Sequence, residues 1–377
     1  MDLADAPEEA EFRARLREWL AKALPTLPAK PSPEDWPARR AYDLGWQRML
    51  YDAGYAHVHW DAPPGVRLIF LEETEKAGAP YVGANFVGLL HAGPTVAAEG
   101  TDAQRARWLP PILRGEEVWC QGFSEPGAGS DLASLRTRAW RDADHYVVSG
   151  SKIWTSHAEV ADWCELLVRT DPRAPRHRGI TWLAMPMDAP GVTVRPLRTL
   201  AGSAEFAEVF LDEVRVPVAH RVGEENDGWR VTMVTLSFER GTAFVGEVVA
   251  CRRVLGELAG EARRNGRWDD PALRRRLGRL NAEFRALWRL TQWNVSEAQA
   301  TGGVPGVRGS VFKLRYSHAR QELYDAAADV LGDGALDLDR PWVLDRLSSL
   351  SYTIAAGTSQ VQRNIVGERI LGLPKER

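Results

Sequence analysis

Over residues 11–27 the apolar positions Phe12, Leu16, Trp19, Leu20 and Ala23 recur at three- and four-residue intervals, the spacing of one buried helix face. Ser32-Pro33-Glu34-Asp35 sets a capping residue before a proline at the first helical position and predicts a second helix start. An amphipathic stretch follows through Trp46, Leu50 and Tyr51. Thr101-Asp102-Ala103-Gln104 reads as a capping box, in which the threonine hydroxyl and the glutamine amide each satisfy a free N–H of the first turn. The helix it opens runs on to Trp108, and Pro110-Pro111 is expected to kink or end it.

From about residue 117 the pattern changes. Residues 145–148, 164–169, 180–185, 192–194 and 206–210 are short runs rich in β-branched and aromatic side chains, punctuated by glycine and proline. Such spacing predicts a small antiparallel barrel or sandwich. After Gly228 the helical period returns. Trp229, Met233, Leu236 and Phe244 begin a segment reaching Gly260, Asp270-Pro271 opens a helix over 271–301, and a glycine/proline break at 302–309 precedes a helix over 310–331. Further helices are expected over 340–372, and long helices joined by short breaks indicate an antiparallel bundle. The fold class is therefore α+β and mainly α: an N-terminal helical domain over 1–116, a β-barrel domain over 117–226 and a C-terminal four-helix bundle over 227–377.

Composition narrows the function. At ~150 residues per domain, 377 residues suit two to three domains, enough to bury a core without disulfide or metal staples. The formal charge of −3 gives no basic field for nucleic acid. Cys120, Cys164 and Cys251 form no CxxC pair, and only His57 and His59 approach ligand spacing, on one face of an expected extended segment with nothing to join them. The acidic N-terminus is unlike a signal or transit peptide, and no apolar run nears ~18 residues. A cytoplasmic protein without a membrane span is the expectation. Fifteen tryptophans stand out.

Three segments carry chemistry. Trp119-Cys-Gln-Gly-Phe-Ser-Glu-Pro-Gly-Ala-Gly-Ser-Asp131 is glycine-rich but lacks both the third glycine of a Rossmann turn and the lysine of a P-loop. Its backbone N–H groups can face a polar ligand, and it reads equally as a tight turn between strands. Gly150-Ser-Lys-Ile-Trp-Thr-Ser-His157 sets an indole beside two hydroxyls, suited to stacking on a heteroaromatic ring or to covering a sheet core. Ile354-Ala-Ala-Gly-Thr-Ser-Gln-Val-Gln-Arg-Asn-Ile365 is a glycine turn opening a helix, able to hold a nucleotide or to serve as an ordinary cap.

In this order on a helix–sheet–helix chain, FSEPGAGSDLASL, GSKIWTS and AGTSQVQRNI resemble the acyl-CoA dehydrogenase family over essentially the whole length. EFRARLREWL and SFERGTAF are similar to a bacterial branch. The resemblance implies FAD as cofactor, an acyl-CoA substrate, electron-transfer flavoprotein as electron acceptor and a homo-oligomer, dimer or tetramer, with a role in fatty-acid β-oxidation. Carried over by motif, Phe123, Ser124, Gly129, Trp154, Thr155 and Ser156 bind the flavin. Thr358 and Gln360 approach the ADP portion of FAD, and Ser130 contacts substrate. Familiar members place a catalytic glutamate before the Gly-Thr of the last motif, where this chain has Ala356, which keeps only its backbone N–H to hold the thioester carbonyl. Other branches carry the base on the first long bundle helix, beside an arginine. The match is Glu239-Arg240, with Arg240 toward the substrate and Glu247, two turns on, as a second candidate base. Without the resemblance, Glu239 reads as a solvated helix residue. Asp329 and Asp333 stand where the family approaches pyrophosphate, and would repel it. The same fold also suits a flavin monooxygenase or oxidase, or a non-catalytic partner subunit of a heteromeric dehydrogenase.

Overall fold

The computed structural model describes residues 5–242, 245–301 and 308–375, with the side chains of 237–242 and 298–301 outside that description. Helices α1 (Pro7–Ala23), α2 (Trp36–Asp52), α3 (Val58–Asp61), α4 (Pro64–Lys76), α5 (Gly93–Glu99) and α6 (Asp102–Arg114) form the first part. Strands β1 (Trp119–Gly122), β2 (Arg138–Asp142), β3 (His145–Ser156), β4 (Trp163–Arg169), β5 (Ile180–Pro186), β6 (Val192–Leu197), β7 (Phe206–Pro217) and β8 (Arg221–Val222) follow. Helices α7 (Gly228–Thr242), α8 (Val245–Arg264), α9 (Pro271–Thr301), α10 (Arg308–Leu331), α11 (Val343–Ser349) and α12 (Ser359–Ile365) complete the chain.

Local signals set most boundaries. Thr101 caps α6 as a capping box: its hydroxyl accepts from Gln104 N–H at 3.3 Å, and the Gln104 amide oxygen accepts from Thr101 N–H at 2.9 Å. The helix does not stop at Pro110-Pro111; it continues to Arg114 and ends at Gly115 in the left-handed region. Buried Trp108 and Ile112 hold the same face across the prolines, so packing outweighs the hydrogen bonds they remove. The cap of α2 is Asp35 rather than Ser32. Its carboxylate accepts from Ala38 N–H at 3.0 Å, while Ser32 opens the preceding turn. Pro37 sits in the first turn, where a missing N–H leaves no partner unmet. His57 and His59 belong to the cap and first turn of α3, not to a strand, and His59 meets Phe70 edge-on at 5.3 Å. No group of three or more histidine, cysteine or acidic residues among the described residues could hold a metal.

The strands form one open sheet rather than a closed barrel, in the order β6-β7-β3-β2-β4-β5-β8, with β1 parallel to β4. Among the described residues, ladder pairing joins its two halves only at the parallel pair Arg138–Arg169. They fold over a shared interior in which Tyr146, Val148, Leu211 and Val214 face Cys164, Leu166, Leu183 and Met185. Pro196 denies β6 a ladder donor and keeps it an edge. A tryptophan seam joins α6 to the sheet: Trp119 stacks on Trp163 at 5.7 Å and meets Trp108 edge-on at 5.8 Å, with Trp182 beyond. Such aromatic pairs are worth about 0.5–1.5 kcal/mol each beyond burial, which accounts for four of the fifteen tryptophans.

The bundle core joins α8, α9 and α10 through Val248, Leu258, Leu280, Phe284, Tyr316 and Leu323, and Leu68 and Leu71 of α4 pack into it. Helix α7 bridges sheet and bundle. A Cβ on Gly228 would stand 2.6 Å from the Thr181 carbonyl carbon and from Trp182 N, so the helix starts directly on the β5 backbone. One turn after buried Val231, the Thr235 hydroxyl bonds that of Thr95 on α5 at 2.8 Å.

Two outcomes test this architecture. Gly228→Ala overpacks the α7–β5 contact and should cost about 1–3 kcal/mol in a urea melt. Desolvation holds His157, whose ring lies 5.1 Å from that of Trp36, at a pKa of about 4, and holds His59 at about 4. The unfolded chain binds those protons below about pH 6.5 and the folded chain refuses them until about pH 4. Stability is therefore full above pH 6.5 and falls as pH drops toward 4. His157→Asn, which tolerates the left-handed φ of 58° at that position, should flatten part of that fall in denaturation series between pH 4 and 7.

Candidate functional site: a loop and strand locked by a buried ion pair

The glycine-rich loop after β1 lies against the far end of β3. Ile153 N–H donates to the Ser124 carbonyl at 3.0 Å, and Glu125 and Ala128 exchange backbone hydrogen bonds at 3.0 and 3.1 Å across the Pro126-Gly127 turn. Beneath the turn the Lys152 ammonium, fully buried, donates to Glu125 Oε1 at 2.9 Å and to the Phe123 carbonyl at 3.1 Å. Arg136 and Thr137 N–H groups donate to the same carboxylate at 2.7 and 2.8 Å. Desolvation lowers the Lys152 ammonium from its ordinary range, and Glu125 opposes that shift. Burial would raise the Glu125 carboxyl, but Lys152 and the donors from Thr137 and Arg136 bring it below the usual carboxylate range. The charged pair is kept because every group in it is hydrogen-bonded.

On top of this pair the register of β3 against β7 breaks between Lys152 and Thr155. The bulge gives Trp154 a φ of 61° and turns its indole outward, 58% exposed, with Phe206 edge-on at 6.0 Å. The next side chain points inward: Thr155 is fully buried, and its hydroxyl has no hydrogen-bond partner. The exposed indole is a platform on which a flat heteroaromatic group would stack, while the unmet Thr155 hydroxyl lies on the opposite, inward face. Phe123 is buried under the loop, Ser124 and Ser156 are half-buried, and Gly129 and Ser130 are exposed, with open space where a Gly129 Cβ would stand.

The C-terminal motif is not brought to this loop by any hydrogen bond among the described residues; it packs on α10. Thr358 caps α12 by accepting from Val361 N–H at 3.2 Å, and Gln360 is exposed. Ala356 is exposed with a left-handed φ of 52°. Its turn is held from behind by buried Lys313, which donates to the carbonyls of Tyr352 and Gly357 at 2.7 and 2.8 Å, and by Gln362, which donates to the Ala356 carbonyl at 3.2 Å. Glu239 and Arg240 lie on α7, and their side chains, like Phe244, fall outside the described residues. Glu247 accepts from Tyr316 at 2.8 Å, from Tyr352 at 3.2 Å and from Arg320, so three donors hold its carboxylate and it is not free to act as a base. Asp329 is neutralised by Arg276, which removes half of the expected repulsion near a pyrophosphate.

Sequence reasoning passed over Lys152, Glu125, Lys313 and the Glu247 partners. A signal for Lys152 was present: it falls on the core-facing side of β3 with Tyr146 and Val148. A lysine at such a position needs a buried anion.

The chain runs helical, sheet, helical, and its sheet carries an exposed indole and an unmet buried hydroxyl on adjacent residues. Family models for the acyl-CoA dehydrogenase N-terminal, middle and C-terminal domains match residues 6–116, 120–214 and 226–371. The acyl-CoA dehydrogenase IpdE1 of Mycobacterium tuberculosis is 40% identical over 97% of this chain and 98% of its own length. Among solved structures, the Tcur3481-Tcur3483 steroid ACAD aligns at TM-score 0.86 and 31% identity, covering 100% of both chains. The ChsE4-ChsE5 complex from Mycobacterium tuberculosis aligns at 0.81 and 31%, again over 100% of both. The chain belongs to the acyl-CoA dehydrogenase family, FAD-dependent enzymes that act on acyl-CoA thioesters.

Lys152→Met strands the Glu125 carboxylate and should cost about 3–5 kcal/mol in a urea melt, with FAD content falling in the visible spectrum. Adding Glu125→Gln should restore much of that stability, because the second change removes the uncompensated charge.

Proposed function

We propose that the chain removes the α-proton and the β-hydrogen of an acyl-CoA thioester, giving the trans-2-enoyl-CoA, with Glu239 as the base. Ala356 carries this reading: the turn before Gly357-Thr358 has no side-chain proton acceptor, so the base must come from elsewhere. Along the sequence of α7, Glu239 follows buried Val231 and Thr235 at successive four-residue intervals, and that spacing supports the reading. A carboxylate there, with water excluded by the bound thioester, is raised toward the working pH range. The Ala356 N–H makes no hydrogen bond among the described residues, leaving it to hold the thioester carbonyl and acidify the α-carbon, with Arg240 and Ser130 at the substrate.

FAD, when bound, supplies the hydride acceptor. Trp154 would cover its ring, Phe123, Ser124, Gly129 and Ser156 would line its polar edge, and Thr155, whose side chain faces inward, would support that strand from beneath. Thr358 and Gln360, on the bundle, would serve the ADP portion of a neighbouring subunit's FAD, which makes the working form an oligomer. Electron-transfer flavoprotein takes the electrons onward. The solved relatives described as a steroid ACAD and as a two-chain complex favour a ring-bearing lipid-derived acyl group, and an unlike chain as one possible neighbour.

Glu239→Gln should retain FAD yet slow anaerobic flavin bleaching by acyl-CoA by at least about a hundredfold. Undiminished bleaching would remove Glu239 from the role. Bleaching by the wild-type chain isolated alone would show that it needs no catalytic partner.

A further inference from the structure

A cavity of about 290 Å³ lies between α4, α8, α10 and α11. Its volume equals that of about ten liquid waters. Two links tie it to the reaction centre. Tyr352 bonds Glu247 on the cavity wall through its hydroxyl, and its carbonyl accepts from Lys313, which also holds Gly357. The wall helix α8 begins three residues after α7 ends.

The wall has an unusual donor and acceptor set. Arg320 is 91% buried and spends Nη1 on Glu247 and Tyr316, while its Nε–H has no partner. Glu75, Glu257 and Asp345 also line the cavity, and Arg253 pairs with Glu257 at 2.9 Å and Glu75 at 3.7 Å. No ion pair among the described residues engages Asp345, and burial raises its carboxyl and that of Glu75 above the usual range. Ala250, Val254 and Trp342 add apolar surface.

The occupant follows from this set. An anion would meet Arg320 but face four carboxylates against two guanidinium groups. An ammonium would suit the carboxylates but bring no acceptor for the Arg320 Nε–H. A neutral hydroxyl does both, accepting from Arg320 and donating to Asp345, with the carbon frame against Ala250, Val254 and Trp342. We infer that this cavity receives the far end of the acyl group and reads a neutral oxygen substituent on it, with Arg320 and Asp345 as specificity-determining residues. The inference rests on the acyl-CoA reading above.

The test measures binding separately from turnover. FAD-loaded Glu239→Gln protein is titrated calorimetrically with 3-(4-hydroxycyclohexyl)propanoyl-CoA, 3-cyclohexylpropanoyl-CoA and butanoyl-CoA. The hydroxylated thioester should bind about tenfold more tightly than its plain analogue. Asp345→Asn should shrink that preference and leave butanoyl-CoA unchanged. Ala250→Phe should exclude both ring-bearing thioesters while sparing butanoyl-CoA, whose retained binding also shows that the variant is folded. Equal affinity for the two ring-bearing thioesters, or no effect of Ala250→Phe on either, overturns the inference. Wild-type flavin reduction is followed in parallel. Selective binding without reduction by any thioester removes the dehydrogenation reading and leaves the cavity assignment standing.

Discussion

The Lys152–Glu125 pair is the contact on which the face carrying Trp154 depends. It joins residues 27 apart in sequence, clamps the glycine-rich loop to β3, and collects backbone donors from the segment entering β2. Burying two charges costs several kcal/mol per ion unless each lone pair and proton is met. Here the ammonium makes two hydrogen bonds and the carboxylate accepts three, which holds loop and strand in one arrangement. The β3 bulge sits directly on that clamp, and Trp154 and Thr155 take opposite faces because of it. Without a rigid floor, neither the outward indole nor the buried hydroxyl would be held in readiness.

A second set of constraints positions α7 and the Ala356 turn. Gly228 lets α7 begin against the β5 backbone, and the Thr95–Thr235 bond fixes its rotation one turn before Glu239. On the other side, Lys313 holds the Ala356 turn from within the bundle. The same bundle carries the Glu247–Arg320–Tyr352 network and the cavity behind it. The bundle thus does two tasks: it holds the Ala356 turn from within, and it leaves a polar recess between α4, α8, α10 and α11.

Local structure was readable wherever its cause lies within about four residues. The Thr101–Gln104 capping box, the β-branched runs and the long helices after Gly228 are examples. The misjudged boundaries have a common origin. Pro110 and Pro111 stay helical because Trp108 and Ile112 are anchored by distant partners, and Ser32 yields to Asp35 because the chain packs Trp36 inside. Four of the fifteen tryptophans belong to a seam between α6 and the sheet, which no window of neighbours displays. The sheet stays open at β6 for a reason that was local, Pro196, but whose effect shows only once strand order is known.

By itself the sequence determined the order helical, sheet, helical, the position of Trp154 beside two hydroxyls, and the loss of an acidic side chain at Ala356. Those follow from periodicity, capping and residue chemistry, which act along the chain. The tertiary structure alone decided which charges meet. It gave Lys152 to Glu125, Asp329 to Arg276, and Glu247 to Arg320 and two tyrosines. The physical reason is desolvation: a charge removed from water must take whichever opposite charge the fold places beside it, and that neighbour is set by packing between elements far apart in sequence.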